Sequence, residues 1–168
     1  MIFLTKKGKH YSNQFVYKAL NILNRERFLE YSVLFNDTCR YELPKEDQED
    51  INKLFGFSLG FNHHQDSARF GWFYKNDKIH LYSYIYDEGK RSYEFITNLD
   101  LNKKYSLTLI EYQGSWEFGV SREGAISVIK KIDKKKSFCM GYRLWPYFGG
   151  NNPAPHDIEI YLQDAMNS

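Results

Sequence analysis

The sequence predicts an all-β protein, an antiparallel two-sheet β-sandwich of the jelly-roll kind, and three observations carry that expectation. Aromatic residues make up 18% of the 168 positions, with 14 Tyr, 13 Phe and 3 Trp, and broad flat rings pack well across neighbouring strands. Bulky apolar side chains recur at every second position over much of the chain, the period of a strand that buries one face. Turn residues separate these short segments, and the crossover helices that a parallel sheet needs are missing from the pattern. A closed barrel shares these features; uneven loop lengths and irregular terminal segments favour the open sandwich.

One domain over residues 1–168 is expected, with 1–27 as an irregular lead-in and 28–162 as the sandwich core. Within the lead-in, 16–23 suits a short helix or a lead-in strand. From Phe28 onward, Leu29, Tyr31, Val33 and Phe35 alternate with Glu30, Ser32 and Leu34 as a strand that stops at Asn36-Asp37. Residues 43–51 are acidic and carry Pro44 at their start, which suits a loop or one helical turn. Phe55, Phe57, Leu59 and Phe61 then alternate with Gly56, Ser58, Gly60 and Asn62. One face of that strand is bulky and the other nearly bare, and a bare face admits another element or a ligand close to the backbone.

Segments 67–74 and 79–86 flank the turn Lys75-Asn76-Asp77-Lys78 as a hairpin. Its second strand sets Ile79, Leu81, Ser83 and Ile85 on one face and His80, Tyr82, Tyr84 and Tyr86 on the other. Asp87-Glu88-Gly89-Lys90 turns the chain into 91–97, and 105–112 with 115–121 form a hairpin around Gln113-Gly114. Arg122-Glu123-Gly124 leads into 125–132, a lysine-rich loop precedes 137–147, and 157–162 closes the set. About ten strands at this spacing are the mark of a sandwich.

Composition and charge exclude several classes. The net charge is only +2, from 23 basic and 21 acidic side chains, without the basic excess that phosphate contacts demand of a nucleic-acid binder. Lys130, Lys131, Lys134, Lys135 and Lys136 form the one basic cluster, and a solvated loop between strands is the plainer account of it than a nucleic-acid or membrane patch. No segment approaches membrane-spanning length, and Met1-Ile2-Phe3-Leu4 is too short for a signal-peptide core, so a cytoplasmic protein is expected. Cys39 and Cys139 show no metal-ligand spacing and form no disulfide framework, although a sandwich can bring the two together. No cofactor is expected.

Three segments together carry a resemblance: Asn52-Lys53-Leu54-Phe55-Gly56-Phe57-Ser58, His63-His64-Gln65-Asp66-Ser67-Ala68-Arg69-Phe70-Gly71-Trp72, and Leu144-Trp145-Pro146-Tyr147-Phe148-Gly149-Gly150-Asn151-Asn152-Pro153-Ala154-Pro155-His156-Asp157-Ile158. The set resembles a group of small, uncharacterised bacterial one-domain proteins over about residues 43–162. More loosely, the closing segment resembles the end of concanavalin A-like lectin and glucanase jelly rolls. That second resemblance implies a jelly roll with carbohydrate on its concave sheet, and it transfers no catalytic residue, because no glucanase acid pair matches these positions.

Several constellations are candidate sites. His63, His64, Asp66 and Arg69 cluster where one strand hands over to the next. They suit a grip on an anionic or hydroxyl-rich ligand, or else a polar corner in which Asp66 ties down loop backbone. A metal held by His64 and Asp66 lacks a third ligand fixed by spacing, and no metal is expected. The row His80, Tyr82, Tyr84 and Tyr86 makes a platform for sugar rings or for a protein partner, or a face covered by the amino-terminal segment. Alternation places Trp72 with Ala68, Phe70 and Tyr74 in the core and Arg69 on the open side. The turn 145–157 displays Asn152 and His156, or simply returns the chain for its last strand. Glu94, Glu111, Glu117 and Glu159 lie on strands, but glycoside hydrolysis needs two carboxyls about 5–10 Å apart and spacing does not pair any two. The expectation is a non-catalytic binding protein for a glycan or other small polar ligand at His63, His64, Asp66, Arg69, His80, Tyr82, Tyr84, Tyr86, Asn152 and His156. An intracellular protein-binding or inhibitor protein is the alternative, and a polysaccharide-cleaving enzyme the third reading.

Overall fold

Eleven strands form in a computed structural model that describes residues 1–13, 27–112, 114–122, 125–134 and 141–165. They are β1 (Ile2–Thr5), β2 (Arg27–Phe35), β3 (Asn52–Leu59), β4 (Ser67–Lys75), β5 (Lys78–Asp87), β6 (Lys90–Asp100), β7 (Lys104–Tyr112), β8 (Ser115–Arg122), β9 (Ala125–Asp133), β10 (Gly141–Leu144) and β11 (Ile158–Asp164). One sheet runs β1-β11-β2-β7-β8-β9 and the other β10-β3-β4-β5-β6. Every pairing in both sheets is antiparallel. The expected helix or strand over 16–23 and the thiol of Cys139 lie outside the described residues. Cys39 is buried beside the Glu159 carbonyl.

Two turns account for the β4–β5–β6 meander. Asn76 and Asp77 take positive φ of 51° and 58°, and Glu88 and Gly89 take 51° and 77°. Both pairs give the tight reversal whose twist matches the flanking strands. The lead-in is more regular than its composition implies: Ile2–Thr5 pairs with Ile158–Tyr161 as an edge strand, with Phe3 buried against the core. Four alternating residues are too few to stand out from sequence alone.

The two sheets meet through aromatic rings. Phe35 packs on Trp72 at 5.1 Å between centroids, Tyr31 on Phe55 at 4.6 Å, Phe57 on Trp116 at 5.1 Å and Phe70 on Phe118 at 5.1 Å. Each pair takes one ring from each sheet, and such pairs contribute about 0.5–1.5 kcal/mol beyond the area they bury. Phe61, expected on the bulky face with Phe57 and Leu59, instead lies past the strand end and is exposed. At one edge Lys130 of β9 reaches Glu94 of β6 at 2.5 Å across the sheets. Lys131 pairs with Glu117 at 3.4 Å, and Lys134 with Glu111 in a nearly dry ion pair under Trp116. Each of these described lysines is thus engaged with a carboxylate. Lys135 and Lys136 lie outside the described residues.

The outer face of the five-stranded sheet is set by one irregularity in β3. The register with β4 shifts between Lys53 and Gly56, and Leu54 and Phe55 both turn into the core. The slip carries Lys53 to the outer face together with Gly56 and Ser58. Gly56 lies opposite Arg69, and a Cβ there would stand 2.0 Å from the Ala68 carbonyl oxygen. What approaches the bare face of β3 is therefore the neighbouring strand itself.

Candidate functional site

Arg69 occupies the middle of that outer face, in register with Gly56 on one side and Tyr84 on the other. Above it opens a cavity of about 780 Å³. Its floor is sheet: Lys53 from β3, Arg69 from β4, Tyr84 and Tyr86 from β5, and Tyr142 with Leu144 from β10. Alternation puts these side chains outward, because their neighbours Phe70, Ile85 and Phe57 face the core.

The walls come from two irregular segments. Tyr147 exchanges backbone hydrogen bonds with Lys53, its N–H donating at 3.0 Å and its carbonyl accepting at 2.8 Å. Tyr147 also bridges Tyr11. His10 stacks on the Tyr147 ring at 5.3 Å, Tyr11 meets it edge-on at 5.0 Å, and a His10 ring nitrogen lies 2.8 Å from the Phe148 carbonyl. Gly149, at φ 83°, lets the chain bend where a Cβ would strike the Asn152 carbonyl at 2.1 Å. Its N–H is tied to the buried side chain of Asn52, which in turn donates to the Tyr41 hydroxyl at 2.9 Å. The amino-terminal segment therefore frames the tyrosine face and leaves a cavity between.

The electrostatics are one-sided. Arg69 is only 7% exposed, and its Nε has no hydrogen-bond partner among the described residues. Burial pulls the guanidinium below its ordinary range, with the nearby Tyr84, Tyr142, Tyr86 and Tyr11 acting the other way. The Lys53 ammonium donates to the Gly149 carbonyl at 3.2 Å and lies 4.9 Å from the Tyr84 ring centre. Burial first, then Arg69, lowers it to about 8, with Asp50 pulling the other way. Asp50 itself accepts from the Asn151 N–H at 3.1 Å. His63 is lowered to about 4 by burial, Arg69 and His64, so its ring is neutral at pH 7, hydrogen-bonded to the Tyr142 hydroxyl at 3.1 Å. Arg143 at the rim is spent on the Tyr31 hydroxyl at 2.6 Å and Asp164 at 3.1 Å. Among the described residues no carboxylate lines the cavity.

The sequence-predicted residues divide between the cavity and other places. His63, His64, Arg69, Tyr84 and Tyr86 line it, with His64 packed on Tyr86 at 5.2 Å. Asp66 is buried beneath the β5–β6 turn, accepting from the Glu88 N–H at 3.3 Å. His80 and Tyr82 lie farther along β5, stacked on Phe73 at 4.9 and 5.5 Å. The Asn152 carbonyl lies close against Gly149 and the residue does not line the cavity, and His156 binds the Thr38 carbonyl at 2.8 Å. Trp72 is in the core and Arg69 on the open face, as alternation requires. Among the described residues no group of three or more His, Cys, Asp and Glu side chains is placed to hold a metal. Lys53, Tyr142, Tyr147 and Tyr11 join the cavity without having been singled out. Lys53 is hidden by the β3 slip, and Tyr11 and Tyr147 come from segments without alternation.

No family model matches the chain, and no curated protein matches it by sequence. Solved structures do. An alginate lyase from Klebsiella pneumoniae superposes with a TM-score of 0.56 at 10% identity, over 85% of this chain and 60% of the enzyme, so this chain spans less than two thirds of that protein. A functionally unknown protein from Saccharomyces cerevisiae gives 0.57 at 10% identity over 97% and 86% of the two chains. The CBM2 module of an evolved Dit protein from Lactobacillus casei BL23 phage J-1 gives 0.51 at 12% identity over 95% and 75%. Among the described residues no helix is long and apolar enough to cross a membrane. The sheet order, the aromatic interlayer and these superpositions agree on one architecture: the chain folds as a jelly-roll β-sandwich.

Proposed function

We propose that this protein is a non-catalytic binding protein whose ligand is a glycan or another small polar molecule, seated in the tyrosine-walled cavity on the five-stranded sheet. The observation that carries this reading is the pairing, in one cavity of about 780 Å³, of tyrosine rings with a buried donor that has no acceptor among the described residues. Ring faces take the C–H side of a sugar, while phenol, imidazole and guanidinium groups take its oxygens. The volume lies within the range of small-molecule sites, about 300–1,000 Å³. The fold shared with an alginate lyase and a CBM2 module supports a saccharide as the ligand class. Glu94, Glu111 and Glu117 are each paired with a lysine, and none lines the cavity. That supports binding over hydrolysis by a carboxylate pair.

The test is a panel of oligosaccharides read by thermal shift and calorimetry, with Tyr86→Ala beside the wild type. At least one sugar is expected to bind, and the variant to bind it roughly tenfold more weakly, the scale of one lost ring contact plus its hydroxyl. A panel without any thermal shift sinks the glycan reading, and depolymerisation of any member sinks the non-catalytic one.

A protein partner is the second reading, and one observation favours it. Tyr93 and Phe95 on β6 are 53% and 48% exposed beside Tyr82, and exposed rings of this kind are enriched in interfaces.

A further inference from the structure

Resting on the glycan reading, we infer that the bound sugar carries an acidic group, a carboxylate, which seats against Arg69 in the floor of the cavity with Lys53 as the second cation. Arg69 is nine-tenths buried, yet among the described residues its Nε has no acceptor and no carboxylate forms an ion pair with it. A buried guanidinium is normally matched by a carboxylate, because an uncompensated charge in the interior is costly. Here its protein surroundings are tyrosine hydroxyls and a second cation, Lys53, on the adjacent strand. Arg143, on the same rim, shows the ordinary arrangement: its guanidinium is satisfied by Asp164 and a phenol. The described residues leave the acceptor for Arg69 to be supplied by a ligand.

The chemistry of the donors narrows the acceptor. A guanidinium presents parallel N–H groups that match the two oxygens of a planar carboxylate. His63, neutral at pH 7 and hydrogen-bonded to Tyr142, and the Tyr84 and Tyr86 phenols add uncharged donors. These suit hydroxyls on the same sugar better than the further negative charges of a phosphate ester. A uronic acid unit within a glycan has both features.

Matched oligosaccharides test this: an oligouronate, the same oligomer with its carboxyl groups reduced to alcohols, a sulfated neutral oligomer, and sodium sulfate alone, each titrated calorimetrically at low salt. The oligouronate is expected to bind about 10- to 100-fold more tightly than its reduced form, the scale of hydrogen bonds to a charged group. Arg69→Met is expected to erase that preference, and Lys53→Met to reduce it several-fold. Should Arg69→Met fail to fold, Lys53→Met and the wild-type preference still decide the matter. Equal binding of the acidic and reduced oligomers overturns the inference and leaves the glycan reading standing. A preference for the sulfated oligomer over the uronate overturns the carboxylate assignment. If no sugar binds but sulfate does, and Arg69→Met abolishes that binding, the glycan reading falls while the anion seat is supported. If nothing binds, both fall.

Discussion

Replacing Arg69 by methionine should make the ligand-free protein more stable. The guanidinium is 7% exposed and its Nε is unsatisfied among the described residues, and a buried donor on a charged group left without a partner costs about 1–3 kcal/mol. The neighbouring Lys53 charge adds to that cost, and burial pulls the guanidinium below its ordinary range. Methionine keeps an apolar stem of similar length and removes the charge. The expected net gain is about 1–2 kcal/mol, which at roughly 2–4 °C per kcal/mol for a chain of this size raises Tm by about 2–8 °C. The assay is a thermal melt by circular dichroism in a zwitterionic buffer at low salt, because sulfate or phosphate would stabilise the wild type alone by binding. Adding sulfate should shrink the difference between the two proteins. A variant that melts more than about 2 °C below wild type in anion-free buffer would mean that the guanidinium is already satisfied, and the case for an external acceptor would fail.

Two further outcomes follow from the same geometry. Lys53 sits near 8 in the folded protein, facing Arg69 on β4, Tyr84 on β5, Arg91 on β6, Asp50 before β3 and Tyr147 in the wall. The unfolded chain, with lysine at its ordinary 10.5, binds more protons between those values. This group's contribution to stability therefore rises as pH climbs from about 8 to 10.5, and affinity for an acidic sugar falls over pH 7 to 9.5 as the folded lysine loses its charge. Titrations of the oligouronate across that range, compared with Lys53→Met, check it; a flat profile would detach Lys53 from the ligand. Gly56→Ala should cost more than about 3 kcal/mol or abolish folding, because the new methyl would stand 2.0 Å from the Ala68 carbonyl and 2.6 Å from the Arg69 Cα in the paired strand. Denaturant unfolding of the variant measures it, and a loss under about 1 kcal/mol would show that β3 and β4 can separate there at little cost.

The sandwich was legible because burial on one face imposes a period of two. Leu29, Tyr31, Val33 and Phe35, or Ile79, Leu81 and Ile85, must share a side once their strands lie in a sheet, and the structure buries each of them. The same arithmetic separated Arg69 from Trp72 and aligned Tyr84 with Tyr86. Periodicity is a local property, so it reads faces and fails wherever the chain slips or leaves the ladder. The extra residue in β3 moved Lys53 to the outer face, although an unbroken count from Phe55 assigns it to the core. Tyr11, Tyr147 and Tyr142 meet the meander only because the edge strands and the Gly149 bend bring distant segments together. Whether a cluster such as His63, His64, Asp66 and Arg69 faces one place is likewise a matter of the third dimension: Asp66 turned to the backbone of a turn while the others lined a cavity. Nor does sequence show that a buried arginine stands without an acid among the described residues. Charge counted along the chain is nearly balanced; only packing decides which charges meet, and among the described residues it set Arg69 in the cavity floor without a carboxylate.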